Sequence, residues 1–114
     1  MELLYTDSRI AVCVKPAGVL STDEPGGMPE LLRRMLGEGK DGCVRVVHRL
    51  DRPVGGVMVF ARSRMADSLL SGQVQRRELE KEYLAVVEGR LPEKAGLLED
   101  WLQRDRRTRT TAAV

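Results

Sequence analysis

The chain has 114 residues, of which 42% are hydrophobic and 32% are charged. That length suits one domain, since domains most often have about 100–150 residues, and the apolar fraction excludes a disordered chain of low hydrophobicity. The net charge of +2 does not by itself indicate a nucleic-acid partner. The arginines nevertheless occur in close groups that suit phosphate binding: Arg62 and Arg64, Arg76 and Arg77, and Arg104, Arg106, Arg107 and Arg109.

No apolar run approaches the ~20 residues needed to cross a bilayer, and the first residues lack the pattern of a signal peptide. Cys13 and Cys43 each lie in a strand-like run. We interpret them as buried thiols of a reducing cytoplasm rather than as a disulfide framework. One histidine and two distant cysteines give no zinc-site spacing. We therefore expect a cytoplasmic protein with no membrane association and no metal, and the sequence leaves its oligomeric state open.

The first part of the chain predicts a strand followed by a helix. The apolar run Ile10–Val14 is the strand, and the turn residues Lys15-Pro16-Ala17-Gly18 end it. After a polar loop, a helix begins at Met28-Pro29 and stops near Gly37. Its apolar face lies at helical spacing and comprises Leu31, Leu32, Met35 and Leu36.

The last part of the chain predicts a second helix and one or two further strands. Ser63 is a candidate N-cap for a helix over Arg64–Arg76. Leu79–Gly89 alternates briefly and ends in glycine, which predicts a strand that runs into a turn. Leu97–Gln103 is either a short strand or a turn of helix. The basic, threonine-rich residues 104–114 give no clear pattern.

A cluster of polar residues lies between two valine-rich runs, Val44–Val47 and Val57–Ala61, which predict buried strands. The cluster is His48-Arg49-Leu50-Asp51-Arg52, closed by Pro53 and by Gly55-Gly56. Charged groups are rarely buried without partners. Two interpretations remain open: a structural Arg–Asp turn, or a reactive aspartate kept ionised by its guanidinium neighbours.

These elements predict an α+β fold with a mixed, largely antiparallel sheet and two helices. Antiparallel pairing is expected because several links between strands are too short for crossover helices. Asp51 would lie on a loop at the cleft of this sheet.

The string His48-Arg49-Leu50-Asp51, followed by a small-residue turn and a valine-rich strand, resembles the signature of the RluA-type RNA pseudouridine synthases. Other segments are similar to the same family: a strand that ends in Lys15-Pro16-Ala17-Gly18, Lys81-Glu82-Tyr83 on a strand, and Leu97–Arg109 after it. The resemblance covers nearly the whole chain. It implies that residues 1–114 are a partial pseudouridine synthase catalytic domain, with half of that fold's sheet.

The resemblance implies isomerisation of uridine to pseudouridine within ribosomal or transfer RNA, with no metal or organic cofactor. Asp51 matches the family's catalytic aspartate, which could attack C1′ or C6 or remove a proton from the ribose. Arg49 resembles the residue that enters the RNA and helps to flip the uridine. Tyr83 resembles the tyrosine that packs against the target base.

The remaining motif residues have supporting roles in this interpretation. Lys15 would help to place its turn near the active site. We expect His48 to be a hydrogen-bonded structural histidine rather than a titrating group. Arg49 or Arg52 would lower the pKa of Asp51 if either side chain reaches it.

The family also implies a later segment similar to Thr-Gly-Arg-x-His-Gln-Ile-Arg, whose arginine pairs with the catalytic aspartate. The sequence has no such string, which predicts a truncated product or a fragment. The alternatives are a non-catalytic RNA-binding or interaction fragment and a plain α/β interaction domain. A kinase-like phosphotransferase is excluded, because the chain has no asparagine, Leu50 interrupts the His-Arg-Asp triplet and no glycine-rich loop precedes it.

Overall fold

An antiparallel sheet organises the first part of the chain. Its strands are β1 (Glu2–Thr6), β2 (Ile10–Lys15), β3 (Arg45–Val46) and β4 (Gly56–Ala61), in the spatial order β1-β2-β4-β3. The helices are α1 (Met28–Met35) and α2 (Arg64–Gln75), and a separate hairpin pairs β5 (Leu102–Asp105) with β6 (Thr110–Ala113). The computed structural model describes all 114 residues, which form two units, Met1–Lys81 and Glu82–Val114. The predicted α+β class, with antiparallel strands and two helices, is confirmed.

One face of the sheet forms the hydrophobic core of the first unit. Fully buried residues face each other across β2 and β4: Ala11 with Phe60, and Cys13 with Met58. Met28 and Leu32 of α1 belong to the same buried cluster. Leu50 joins it as well, so the polar segment between β3 and β4 has one residue in the core. This alternation of buried and exposed positions is what a sheet with one covered face requires.

The strand β1 has no counterpart among the predicted elements. It pairs with β2 through a register that shifts between Leu3 and Tyr5. The turn between the two strands is held by the Asp7 carboxylate, which accepts hydrogen bonds from the backbone N–H groups of Arg9 at 2.7 Å and Ile10 at 2.8 Å. Pairing with β2 and this turn determine β1, and the local sequence of Glu2–Thr6 does not.

Both predicted helices are present, and the residues at the start of α2 and beyond the end of α1 favour the observed boundaries. The Ser63 hydroxyl accepts a hydrogen bond from the Ala66 N–H at 3.1 Å, which confirms the predicted N-cap of α2. Asp67, in the first turn of α2, pairs with Arg45 of β3 at 3.0 Å and ties the helix to the sheet. Beyond the end of α1, Gly37 adopts a φ of +71°, the left-handed conformation that glycine allows at this position.

The predicted strand over Leu79–Gly89 is wrong. No residue of that range belongs to a strand, and the side chains of Leu84 and Val86 are fully exposed. Alternation gives a stretch the propensity to be a strand, but a strand also needs a hydrogen-bonded neighbour, and this stretch has none. Of Leu97–Gln103, only the last two residues are in β5. The hairpin β5–β6 accounts for residues 104–114, for which the sequence predicted no structure.

Both cysteines are free thiols; Cys13 is buried in β2 as predicted, whereas Cys43 lies before β3 and is only partly buried. Burial in the core raises the pKa of Cys13 to about 11, so this thiol is a weak nucleophile and serves as a small apolar side chain. As for membranes, neither helix has the length and apolar character that spanning a bilayer requires.

Candidate active site

Asp51 lies at the first position of a tight turn between β3 and β4. The Val54 N–H donates to the Asp51 carbonyl oxygen at 2.9 Å, which closes the turn over Arg52 and Pro53. The preceding residue, Leu50, is buried in the core, whereas the Asp51 side chain is exposed. The core therefore anchors the turn, and the turn presents the carboxylate to solvent.

The ammonium group of Lys15 joins this turn to the one that follows β2. Lys15 is fully buried, and its Nζ donates to the backbone carbonyls of Pro16 at 3.0 Å, Val19 at 2.6 Å and Arg52 at 3.0 Å. Burial lowers the pKa of the Lys15 ammonium, whereas the three carbonyl acceptors favour its charged form. The charge is tolerated because each of its three N–H bonds has an acceptor.

Ser21 makes a second connection to the same turn. Its hydroxyl donates to the Leu50 carbonyl at 2.7 Å and accepts a hydrogen bond from the Leu50 N–H at 3.1 Å. Ser21 is buried, and it thereby satisfies both backbone polar groups of the residue before Asp51. Ser21 could not be identified from the sequence, because a single serine in a polar loop has neither the charge nor the periodicity that would distinguish it.

Backbone contacts hold the two turns together as well. The Gly18 N–H donates to the Arg52 carbonyl at 2.7 Å, and the Arg52 Nε donates back to the Gly18 carbonyl at 3.0 Å. A Cβ atom at Gly55 would lie 3.1 Å from the Lys15 carbonyl oxygen and 3.3 Å from the Ala17 nitrogen, which is tighter than most Cβ contacts, so this close approach favours glycine. We refer to Lys15, Ser21 and the backbone groups that they bind as the turn clamp.

Replacing Ser21 by alanine is expected to lower the free energy of unfolding by about 1–3 kcal/mol, because the buried N–H and carbonyl of Leu50 lose their partner. Urea unfolding of the wild-type chain and the variant measures the change. Ser8→Ala is the matched control, since Ser8 is exposed, and it should leave the free energy nearly unchanged. Equal unfolding free energies for Ser21→Ala and the wild type would show that this connection contributes nothing.

The His48 side chain hydrogen-bonds to the backbone of β4 just beyond the end of β3. The pairing of β3 with β4 ends at Val46, and beyond that point the Val59 N–H donates to the His48 Nε2 at 3.1 Å. Nε2 is therefore an acceptor, and the ring is the tautomer protonated at Nδ1. Burial, and secondarily the positive charge of Lys81, lower the pKa of His48. His48, two residues before Leu50 in the sequence, is therefore a hydrogen-bonded structural histidine.

The lowered pKa of His48 predicts how stability depends on pH. Its folded-state pKa lies below the ordinary value of ~6.5, so the unfolded chain binds a proton first as the pH falls. The contribution to stability is complete above about pH 6.5 and is lost as the pH falls through the folded-state pKa. His48 is the one histidine of the chain. In His48→Gln, whose amide oxygen can accept from Val59, the unfolding free energy should no longer fall in this range. An unchanged pH dependence in the variant would assign the effect to other groups.

Neither neighbouring guanidinium pairs with Asp51. The Arg52 Nε donates to the Gly18 carbonyl, and Arg49 is exposed. All five ion pairs of the structure join other residues. Both interpretations of this segment, a structural Arg–Asp turn and an aspartate held by neighbouring arginines, require an arginine in contact with Asp51. The structure does not contain such a contact. Arg52 does not reach Asp51 because its guanidinium donates instead to the Gly18 carbonyl, in the turn that follows β2.

The other predicted site residues belong to two units: Lys15, His48, Arg49 and Arg52 to the first, and Tyr83 to the second. The structure brings Lys15 and Arg52 into contact at the turn of Asp51, and His48 lies in the same segment. Tyr83 belongs to the second unit, where its ring is 60% exposed. The structure has no group of three or more histidine, cysteine, aspartate or glutamate side chains that could hold a metal ion.

Comparisons with known proteins match this chain to one family. The family described as RNA pseudouridylate synthase matches residues 9–113. The chain is 34% identical over 113 residues to the dual-specificity RNA pseudouridine synthase RluA of Haemophilus influenzae, covering 93% of this chain and 51% of that protein. It is 32% identical over 111 residues to the uncharacterized RNA pseudouridine synthase YhcT of Bacillus subtilis, covering 93% of this chain and 37% of that protein.

A solved structure gives the same result. The human RNA pseudouridylate synthase domain containing 4 superposes with a TM-score of 0.57 and 25% identity, over 68% of this chain and 30% of that one. The chain therefore belongs to the RNA pseudouridylate synthase family, and the resemblance to the RluA type is confirmed. It spans about half the length of the curated relatives that it matches, or less.

Proposed function

We propose that this chain carries the catalytic aspartate of an RNA pseudouridine synthase, which converts uridine to pseudouridine in ribosomal or transfer RNA. The observation that carries the proposal is the exposed Asp51 carboxylate on a turn that the turn clamp fixes, in a chain of this family. The relatives that it resembles support the same reaction, since they include a dual-specificity RNA pseudouridine synthase and a transfer-RNA pseudouridine synthase.

The reaction is an isomerisation in which atoms are conserved apart from exchange with water. The N1–C1′ glycosidic bond breaks, the base turns, and a bond forms between C5 and C1′. The hydrogen on C5 is lost to water as a proton, and N1 gains a proton. Asp51 acts as the nucleophile at C1′ or C6 or as the base that removes a ribose proton, and both roles need an accessible carboxylate. No step requires a metal or an organic cofactor.

The other predicted residues act on the RNA in this proposal. A stacked uridine must first leave the helix, which costs a few kcal/mol. Arg49, exposed two residues before Asp51, enters the space that the base leaves. Tyr83, in the second unit, is proposed as an aromatic surface on which an RNA base stacks, and its exposure is consistent with that use. Lys15, His48 and Arg52 act indirectly, by holding the turn of Asp51. We also propose that the chain acts in the cytoplasm, which is consistent with its two free thiols.

Release of tritium tests the proposal, because the C5 hydrogen must leave the base. The 114-residue chain is incubated with RNA labelled as [5-³H]uridine, and tritium in water is measured over time. The proposal predicts release that increases with protein concentration. Binding of the same RNA is measured in parallel, so that a failure of binding is distinguished from a failure of chemistry.

A second candidate is an RNA-binding fragment without turnover. The observation that favours it is that no arginine or lysine of this chain forms an ion pair with the Asp51 carboxylate. RNA binding with no release of tritium would support this second candidate, whereas release supports the first.

A further inference from the structure

The hairpin β5–β6 concentrates positive charge at one end. Residues 102–114 contain four arginines and one aspartate, a net charge of +3, whereas residues 82–101 contain five acidic and two basic residues. The register pairs Asp105 with Thr110, so residues 106–109 form the turn at the tip. Arg106, Arg107 and Arg109 lie in this turn, and Arg104 lies two positions before it on β5.

These arginines have no acidic partner, unlike many others in the protein. Five arginines of the first unit form ion pairs with carboxylates: Arg33, Arg34, Arg45, Arg62 and Arg76. No hairpin arginine forms one, and all four are exposed. The single acid of the hairpin, Asp105, uses its carboxylate to accept the Arg107 N–H at 2.8 Å, which stabilises the turn. The guanidinium groups remain available for an anion.

The backbone at the tip indicates that arginine is present for its side chain. Arg109 adopts a φ of +57°, in the left-handed region that glycine and asparagine occupy at lower cost. Its side chain makes no hydrogen bond and no ion pair within the protein that would offset this cost. A residue that breaks a local conformational preference without a compensating contact is typical of a functional position.

We propose that the tip of this hairpin binds RNA phosphates, with Arg106, Arg107 and Arg109 as the contacting residues. A planar guanidinium donates two parallel hydrogen bonds to a phosphate, which makes a cluster of unpaired arginines suited to a polyanion. An RNA strand fits better than a protein acid, because Trp101 lies just before β5 with its ring 84% exposed and can stack on a base. The inference rests on the proposed function for its choice of RNA.

Salt dependence of binding tests the proposal. The probe is a fluorescein-labelled oligouridylate, and its affinity for the full chain is measured by anisotropy over a series of salt concentrations. Arg106→Gln with Arg107→Gln removes two charges but keeps the Arg107 N–H that bonds to Asp105. We expect the slope of log affinity against log salt to become shallower by about 1.4, since each contact with a single strand contributes about 0.7.

The matched control is Arg90→Gln with Lys94→Gln, which removes two exposed charges from the same unit outside the hairpin. This control should leave the slope unchanged. Equal changes for both double variants, an unchanged slope for the hairpin variant, or no binding by the wild-type chain would each overturn the proposal. The salt slope does not depend on turnover. An unchanged slope would therefore contradict the hairpin proposal, whereas a lack of tritium release would contradict the proposed function.

Discussion

Replacing Asp51 by alanine is expected to lower the rate of tritium release from [5-³H]uridine RNA by roughly 10²–10⁴-fold, the range that a positioned acid–base group contributes. The effect is large because the proposed chemistry uses one carboxylate oxygen, and no second acidic group takes part in the turn. Removal of a negative charge does not weaken attraction to phosphate. The variant should therefore bind RNA at least as tightly as the wild type.

Asp41→Ala is the matched control for this prediction. Asp41 is also exposed and also lies between α1 and β4, so the substitution removes the same charge from the same part of the chain. It should retain the wild-type rate. Equal rates for Asp51→Ala and Asp41→Ala would mean that Asp51 is not the catalytic residue.

Replacing Lys15 by methionine is expected to lower the free energy of unfolding by about 2–4 kcal/mol, since hydrogen bonds to a charged group contribute about 1.5–3 kcal/mol each and release of a buried ammonium offsets part of that loss. Three hydrogen bonds from the ammonium group are lost: the Val19 carbonyl is left unpaired, whereas the Pro16 and Arg52 carbonyls keep the backbone N–H groups of Val19 and Gly18 as donors. Methionine keeps an unbranched stem of similar length, so the change reports on the ammonium group rather than on packing. Urea unfolding measures the difference.

Lys40→Met is the control for this substitution, because Lys40 is exposed and makes no hydrogen bond of the turn clamp. It should change the unfolding free energy by less than about 0.5 kcal/mol, as surface substitutions usually do. If Lys15→Met were as stable as Lys40→Met, the buried ammonium would not be the group that holds the two turns together.

Much of the first unit could be predicted from its sequence, because short-range signals determine it. The apolar run at Ile10–Val14, the N-cap at Ser63 and the valine-rich run at Val57–Ala61 each report a local preference, and each element forms there. The motif around Asp51 also placed the turn between two strands. Local propensity and burial agree at these positions, which is why a single sequence is sufficient.

The remaining features depend on contacts between distant residues. β1 exists through its pairing with β2, and Leu79–Gly89 has a strand pattern but no neighbour to pair with. The clamp residue Ser21 is 29 positions from Leu50, and no local pattern connects the two. Likewise, the order Arg49, Asp51, Arg52 suggested ion pairs, but the acceptor of Arg52 is the carbonyl of Gly18. Adjacency in sequence does not determine which partner a side chain reaches.

Nucleoside analysis of the RNA product tests the central claim most directly. A uridine-containing RNA is incubated with the chain, digested to nucleosides and separated by chromatography, alongside Asp51→Asn, which keeps the size of the side chain and removes its charge. We predict pseudouridine in the wild-type digest and none above background with Asp51→Asn. Pseudouridine at the same level in both digests, or in neither, would contradict the claim that this exposed carboxylate performs the isomerisation.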